Sequence, residues 1–195
     1  MTSQEAVEAT VAGGADAMGF VLAEGSPRML TPDKARGLAE GVPIATFIVT
    51  VDASPGEALA LAEAVGVSGI QAHGERSLDV AAEAVEAGYL SIAPVPLGSD
   101  GTRVGLAEVP GAALPIFDTP SKAMHGGTGI AFDWSSISDP GRPFILAGGL
   151  GPDNVAAAIE AVNPFGVDAS SRLESELGVK DPSRIVAFIE KAKQI

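Results

Sequence analysis

The sequence predicts an α/β fold with a parallel sheet, because short apolar strands alternate with helical patterns along all 195 residues. The strand segments, such as AMGFVL at 17–22 and FILA at 144–147, are continuously apolar. This is typical of parallel strands that helices cover on both faces. No linker, low-complexity run or block of charge divides the chain, so we expect residues 1–195 to form a single domain.

The elements follow one another regularly. The predicted strands lie over 17–22, 44–50, 69–72, 89–93, 114–117, 144–147 and 165–167. Helices are predicted over 3–12, 31–41, 54–66, 78–87, a weaker region around Gly98 to Gly105, a short segment from Asp133, 152–162 and from Asp181 onward. Ser54 and Glu57 make a capping box, with Pro55 at the first helical position. The chain begins with a helix, whereas a (β/α)₈ barrel begins with a strand, so compared with such a barrel we expect one strand to be missing from the front.

Composition excludes several classes of function. The formal net charge is -13, from 25 acidic and 12 basic residues, which argues against nucleic acid or an anionic membrane as a partner. The chain has no cysteine, which excludes disulfides, thiolate metal sites and a cysteine base, and two histidines alone do not make a metal site. The N-terminus lacks the pattern of a signal peptide, and no apolar run approaches the roughly 20 residues of a membrane span. We expect a soluble cytoplasmic protein.

The segment 144–174 is a strand–turn–helix–strand–turn unit. Gly148 and Gly149 follow one strand, Pro152 suits the first position of a helix, and Ser170 and Ser171 follow the next strand. Backbone N–H groups and hydroxyls in two neighbouring turns make a good cradle for phosphate, which barrels commonly bind after strands seven and eight. The ordinary alternative is that the two glycines merely turn the chain.

The residues at the strand ends form an ordered set of motifs. They are Gly19-Phe20-Val21 with Ser26-Pro27-Arg28, Ile70-Gln71-Ala72-His73-Gly74, Phe117-Asp118-Thr119, Gly126-Gly127-Thr128-Gly129 with Phe132-Asp133-Trp134, Leu146-Ala147-Gly148-Gly149-Leu150, Pro152-Asp153-Asn154-Val155, and Pro164-Phe165-Gly166-Val167-Asp168 with Ser170-Ser171. In this order and spacing, from Thr2 to the C-terminus, the chain closely resembles phosphoribosylanthranilate isomerase of tryptophan biosynthesis.

The resemblance implies a (β/α)₈ TIM barrel, here truncated at its N-terminus so that about seven strands and eight helices remain. It implies an intramolecular oxidoreduction, the Amadori rearrangement of N-(5-phosphoribosyl)anthranilate to 1-(2-carboxyphenylamino)-1-deoxyribulose 5-phosphate, without metal or cofactor. The expected partner is this small phosphosugar, with no nucleic acid or membrane, and the chain is expected to be a monomer or a homodimer.

Matched position by position, Asp118 corresponds to the family's general acid, which protonates the ribose ring oxygen. Arg28 corresponds to the residue that faces the anthranilate carboxylate, and His73 lies at the active-site end of its strand. The phosphate turns correspond to Gly148, Gly149, Ser170 and Ser171. Taken alone, Asp118 could be a helix cap or a surface acid, Arg28 a solvated charge, and His73 a packing residue beside the site.

Two departures from the family stand out. The family's general base is a cysteine in a Lys-x-Cys-Gly-type motif on the first strand, which would lie before Thr2, and this chain has no cysteine. The family's Ser-Ser-Gly-Val-Glu reads Ser-Ser-Arg-Leu-Glu at 170–174, where Arg172 either supplies charge to the phosphate or fills its space. We therefore expect a poor or inactive isomerase with open sheet edges at 17–22 and 165–167. The alternative is a non-catalytic barrel that binds a sugar phosphate.

Overall fold

Seven parallel strands form one curled sheet in the order in which they occur along the chain. The computed structural model describes residues 1–96, 105–118, 134, 137 and 140–194. The strands are β1 (Ala17–Val21), β2 (Ala45–Val51), β3 (Gly69–His73), β4 (Leu90–Pro96), β5 (Leu114–Asp118), β6 (Ile145–Ala147) and β7 (Gly166–Val167). The parallel α/β arrangement is confirmed.

Six α-helices occur within the described residues. They are α1 (Gln4–Ala12), α2 (Pro32–Ala39), α3 (Pro55–Val65), α4 (Ser77–Glu86), α5 (Val155–Val162) and α6 (Pro182–Lys193). The predicted capping box is confirmed, because the Ser54 side chain accepts from Glu57 N–H and the Glu57 carboxylate accepts from Ser54 N–H. None of these helices is long and apolar enough to cross a membrane.

The core lies mainly between the sheet and the helices. Around the first three strands it is built from Phe20, Ile48 and Ile70, and around the later strands from Phe117 and Leu146, all of them buried. Phe117 also stacks on Phe144, with ring centroids 4.7 Å apart. Adjacent strand residues point to opposite faces, so a second, smaller cluster lies on the other face of the sheet. Its buried members are Phe47, Ile92, Ile116 and Ala147.

The sheet has two outer strands within the described residues, β1 beside β2 and β7 beside β6. On its outer side β1 makes a single parallel bridge, between Val21 and Met29. The edge predicted to be open at 17–22 is partly covered by the chain itself. The Met1 amino group donates to the carbonyl oxygen of Gly19, and Thr2 Oγ1 donates to the carbonyl oxygen of Gly178 at 3.0 Å.

Two local predictions need correction. The helix predicted from Pro152 begins at Val155, because the Asn154 side chain folds back on the preceding turn and keeps residues 151–154 out of the helix. After the Ser170-Ser171 turn the chain forms a short 3₁₀ helix (Ser171–Leu173) and a hairpin of β8 (Glu174–Glu176) and β9 (Val179–Lys180) before α6 begins. The sequence pattern predicts no strand in this segment.

Other predictions lie largely or wholly outside the described residues. Among these are the glycine-rich loop over 119–130, the short helix from Asp133 and most of the weak helix around Gly98 to Gly105. Within the last of these regions, Leu106–Glu108 forms a 3₁₀ helix. The total of eight helices stays a prediction.

Candidate active site

Three ionisable side chains lie at the carboxyl ends of the strands. His73 is the last residue of β3, Asp118 is the last residue of β5, and Asp168 directly follows β7. Because parallel strands all end at the same edge of the sheet, these three groups share one face of the fold. It is the face on which barrel enzymes place their catalytic residues.

The charges at this face act on one another. Burial lowers the pKa of His73, while the negative charges of Asp118 and Asp168 oppose that shift. Asp118 is exposed at the end of its strand, yet the protein around it partly removes water from the carboxyl group; this desolvation raises the pKa of Asp118, and the charge of His73 opposes the shift. Asp168 is open to solvent yet surrounded by protein on most sides, and this enclosure raises its pKa as well. An uncharged imidazole and a carboxyl group that holds its proton more tightly than usual are suited to general base and general acid roles respectively.

Gln71 orients the His73 ring. The Gln71 side-chain amide nitrogen lies 3.0 Å from His73 Nε2. The amide nitrogen can donate to an unprotonated Nε2, and with the amide turned over its oxygen can accept from a protonated Nε2, so Gln71 holds the ring in place in either tautomer. Gln71 and His73 are two residues apart on one strand and therefore lie on the same side of the sheet.

The first predicted phosphate turn follows β6. Gly148 has a φ of 90° and Gly149 a φ of 59°, both in the left-handed region that glycine adopts without strain. Asn154 holds the turn from the far side: its Oδ1 accepts from Gly151 N–H at 2.8 Å and its Nδ2 donates to the carbonyl oxygen of Gly149 at 3.2 Å. The two glycines therefore do turn the chain, in a conformation that glycine adopts without strain.

The second predicted phosphate turn follows β7 and is held by a lysine. Lys180 Nζ donates to the carbonyl oxygen of Ser170 at 2.9 Å and lies 3.2 Å from Ser170 Oγ. Ser170 and Ser171 are both exposed at this edge of the fold. The sequence alone predicts no functional role for Lys180, because lysine side chains are mostly exposed to solvent.

Arg172 connects the two turns. Its Nη2 lies 2.5 Å from Asp153 Oδ2, and its side chain packs over Gly151, where an added Cβ would meet Arg172 Nε at 2.8 Å. The guanidinium is thus paired with a carboxylate beside the first turn. The pair is partly exposed, with side-chain exposures of 37% for Arg172 and 65% for Asp153.

Arg28, expected to face an anthranilate carboxylate, lies against a carboxylate of the protein. Arg28 Nε and Nη2 contact Glu174 Oε1 and Oε2 at 2.5 and 2.9 Å. Glu174 is almost fully buried, which by itself would raise its pKa, but hydrogen bonds from Arg28 and Lys180 lower the pKa to about 2. In the sequence Glu174 is only the last residue of the motif that begins at Ser170, and no role is predicted for it.

The fold thus gathers an acid, an imidazole and the two turns that follow β6 and β7 at the carboxyl edge of its strands. A family model for N-(5'phosphoribosyl)anthranilate (PRA) isomerase matches residues 1–191 of the chain. The chain belongs to this family.

Sequence relatives agree along the whole chain. The N-(5'-phosphoribosyl)anthranilate isomerase of Pseudomonas aeruginosa (strain LESB58) is 39% identical, over 99% of this chain and 92% of the relative. The isomerase of Deinococcus radiodurans is 40% identical, over 99% of this chain and 93% of the relative. The matched region therefore spans all of the strand-end motifs.

Solved structures agree in fold. Phosphoribosyl anthranilate isomerase from Thermotoga maritima superposes with a TM-score of 0.84 at 33% identity, covering 100% of this chain and 96% of that one. A second isomerase structure, with a TM-score of 0.78 at 29% identity and the same coverage, holds reduced 1-(o-carboxyphenylamino)-1-deoxyribulose 5-phosphate. The predicted family is confirmed, and the family is one of isomerases of tryptophan biosynthesis.

Proposed function

We propose that this chain binds N-(5-phosphoribosyl)anthranilate and isomerises it to 1-(2-carboxyphenylamino)-1-deoxyribulose 5-phosphate. The observation that carries the proposal is the position of Asp118 at the end of β5, on the same face as His73 and the two turns, where partial desolvation raises its pKa. The two turns are the proposed phosphate site, and a phosphate fixed at one end of a sugar sets the register of the other.

In this mechanism Asp118 donates a proton to the ribose ring oxygen as the bond between that oxygen and C1 breaks. The lone pair of the anthranilate nitrogen forms a C1=N bond and carries the positive charge. A base then removes the proton from C2, giving a neutral enol. The enol becomes the C2 ketone when C1 takes up a proton and the enol oxygen loses its own. C2 is oxidised and C1 reduced within one molecule, so no external oxidant or metal is required for balance.

This chain differs from the related isomerases in the residue that could act as the base, since the resemblance implies a cysteine in that role. No cysteine is present, and a general base contributes typically about 10²–10⁴-fold in rate. We propose that residues 1–195 turn over slowly for this reason. His73 is the first candidate for a substitute base, because its lowered pKa leaves the ring uncharged at neutral pH.

The second candidate function is a barrel that binds the sugar phosphate without isomerising it. The absence of cysteine favours it, while the raised pKa of Asp118 favours the enzyme. In either case we propose a cytoplasmic protein, either a monomer or a homodimer. A Thermotoga maritima isomerase similar to this chain is described as dimeric.

Asp118→Asn tests the enzyme. We expect turnover to fall about 10²–10⁴-fold, because asparagine cannot donate the proton, while affinity for the reduced product analogue stays within about threefold. The measurement should be made on residues 1–195 and on the same chain preceded by a strand carrying Lys-x-Cys-Gly. Asp79→Asn, at an exposed position on α4, is the matched control.

Each outcome decides between the candidates. Turnover that survives Asp118→Asn removes Asp118 from the mechanism. Equal turnover with and without the added strand shows that another base is present, and loss of that turnover in His73→Gln would identify it. Binding of the analogue without turnover in either form supports the non-catalytic alternative.

A further inference from the structure

A buried group of three charged side chains joins the loop after β1 to the hairpin β8–β9. We call it the charge cluster; it consists of Arg28, Glu174 and Lys180. Their side chains are 20%, 4% and 5% exposed. Arg28 is 146 residues away from Glu174 in the sequence, so the cluster exists only in the folded chain.

Glu174 is the centre of the charge cluster. Its Oε1 accepts from Arg28 Nε at 2.5 Å and from Lys180 Nζ at 2.8 Å. Its Oε2 accepts from Arg28 Nη2 at 2.9 Å and from Gly178 N–H at 3.1 Å. Two bonds to each oxygen fill the roughly four acceptor positions of a carboxylate, so the group is fully satisfied and fixed in orientation.

Lys180 acts on the second turn and has no hydrogen left for a ligand. An ammonium group has about three N–H bonds to donate, and Lys180 directs them to Glu174 Oε1 and to the carbonyl and hydroxyl oxygens of Ser170. Any effect of Lys180 on a bound phosphate therefore passes through Ser170 or through its charge.

Arg28 is held by one side of its guanidinium. Two of its roughly five N–H bonds go to Glu174, through Nε and Nη2. The guanidinium is planar and rigid, so fixing these two directions also fixes the others. The remaining donors are thereby aimed before any ligand arrives, which lowers the cost of ordering the side chain on binding.

Stability is a weak reason for such an arrangement. Removing three charges from water costs free energy, and their mutual attraction often only balances this cost. Apolar residues of similar volume frequently stabilise a fold equally well or better. The hairpin that carries the cluster is otherwise exposed, with Leu177 75% and Val179 52% accessible. Its two strands pair Glu174 with Lys180 in register, which places both side chains together.

We propose that Glu174 is a positioning residue that couples the two ends of the substrate site. It aims Arg28 at the carboxylate of the aromatic ring and, through Lys180, holds Ser170 in place for the phosphate. This inference rests on the proposed function, in which one ligand carries both anionic groups. It assigns the hairpin β8–β9 the task of fixing the distance between their two binding points.

Glu174→Gln separates positioning from charge, because the two effects have opposite signs. The cluster carries two positive charges and one negative charge, so removing the carboxylate makes the site more positive and would tighten binding of a dianionic phosphate if charge alone mattered. If Glu174 positions the donors, binding weakens despite the added positive charge. A purely structural role lowers the melting temperature and leaves the affinity of the folded fraction unchanged.

The test is calorimetric binding of reduced 1-(o-carboxyphenylamino)-1-deoxyribulose 5-phosphate to residues 1–195, which needs no turnover. We expect Glu174→Gln to weaken the affinity about tenfold or more, equivalent to about 1.4 kcal/mol. Glu176→Gln, on the same short strand but exposed, is the matched control and should change affinity less than about twofold. Circular dichroism at the titration temperature confirms the folded fraction.

Two further variants keep the test decisive if Glu174→Gln does not fold. Lys180→Gln should weaken binding of inorganic phosphate about tenfold and leave binding of anthranilate within about twofold, whereas Arg28→Lys should do the reverse. Unchanged or tighter analogue binding by Glu174→Gln, or equal losses for both half-ligands in both variants, would overturn the inference. If the unmodified chain binds no analogue, the proposed function is wrong, and the inference that rests on it is wrong as well.

Discussion

The turns after β6 and β7 lie side by side but are held by different means. Asn154, only a few residues along the chain, bridges the first turn with two uncharged hydrogen bonds. Lys180 holds the second turn, and its charge is balanced by Glu174, which is itself held by Arg28 from the other end of the sequence. The first turn is a local structure, and the second depends on the complete fold.

The difference has energetic consequences. A local uncharged bridge contributes about 0.5–1.5 kcal/mol per hydrogen bond and survives changes elsewhere in the molecule. A buried charge cluster fails as a unit, because removing one member leaves the others buried and unpaired at a cost of about 3–5 kcal/mol. We therefore expect perturbations of the second turn to be larger and more dependent on pH.

Acid should loosen the second turn first. The pKa of Glu174 is about 2 in the fold, below its usual 4.5, so its contribution to stability is complete above pH 4.5 and is lost as the pH falls toward 2. Chemical denaturation between pH 7 and pH 2 should show this loss, on the order of the 3–5 kcal/mol of a broken buried pair. The pKa values of the capping carboxylates Glu57 and Asp181 are also lowered, so these groups add to the loss of stability at low pH.

Glu174→Gln should be less stable than the parent at pH 7, and its free energy of unfolding should fall less between pH 7 and pH 2. Glu176→Gln should keep the parental profile. If Glu174→Gln loses as much stability on acidification as the parent does, the charge cluster does not hold this region together.

Gly149→Val should produce the largest effect on the first turn. Gly149 has a φ of 59°, where a side chain costs about 1–2 kcal/mol, and a β-branched one costs most. The valine also blocks close approach of the backbone to a phosphate, so we expect affinity for inorganic phosphate to fall at least tenfold.

Gly37→Val is the control for Gly149→Val. Gly37 lies in α2, and a Cβ there meets open space, so the substitution should leave phosphate affinity unchanged. Normal phosphate affinity in folded Gly149→Val would place the anion elsewhere on the molecule.

Asn154→Ala should have a smaller effect. It removes the bonds to Gly151 N–H and the Gly149 carbonyl oxygen, which together contribute about 1–3 kcal/mol. We expect a lower melting temperature and a phosphate affinity reduced about three- to tenfold. Asn154→Asp keeps the acceptor for Gly151 and should recover part of the loss; no recovery would mean that the bond to Gly149 alone holds the turn.

Arg172→Gly should have the smallest effect on stability. The pair with Asp153 is partly exposed, and such pairs contribute about 0–1 kcal/mol. Because the guanidinium is already paired with Asp153, we expect phosphate affinity to stay within about threefold. A clear loss, measured by the same calorimetric titration, would instead mean that Arg172 supplies charge to the phosphate. A clear gain would mean that it fills the phosphate's space.

Much of the framework and the first turn follow from the sequence. Continuous apolar segments predict β1 to β7 within a few residues, and Ser54 with Glu57 predicts the start of α3, because these signals act between near neighbours. Gly148 and Gly149 directly identify a backbone that needs the left-handed region. Family motifs further place Asp118 and His73 at strand ends.

Only the tertiary structure decides what the charged residues contact. Arg28 was expected to face a ligand, yet its partner is Glu174, and Lys180 was not selected at all. Hydrophobic periodicity and turn chemistry operate over a few residues, whereas a charge pairs with whatever the fold brings within about 4 Å, here from the opposite end of the chain. The sequence by itself determined where the strands end and which turn needs glycine, and the fold determined which charges hold the second turn.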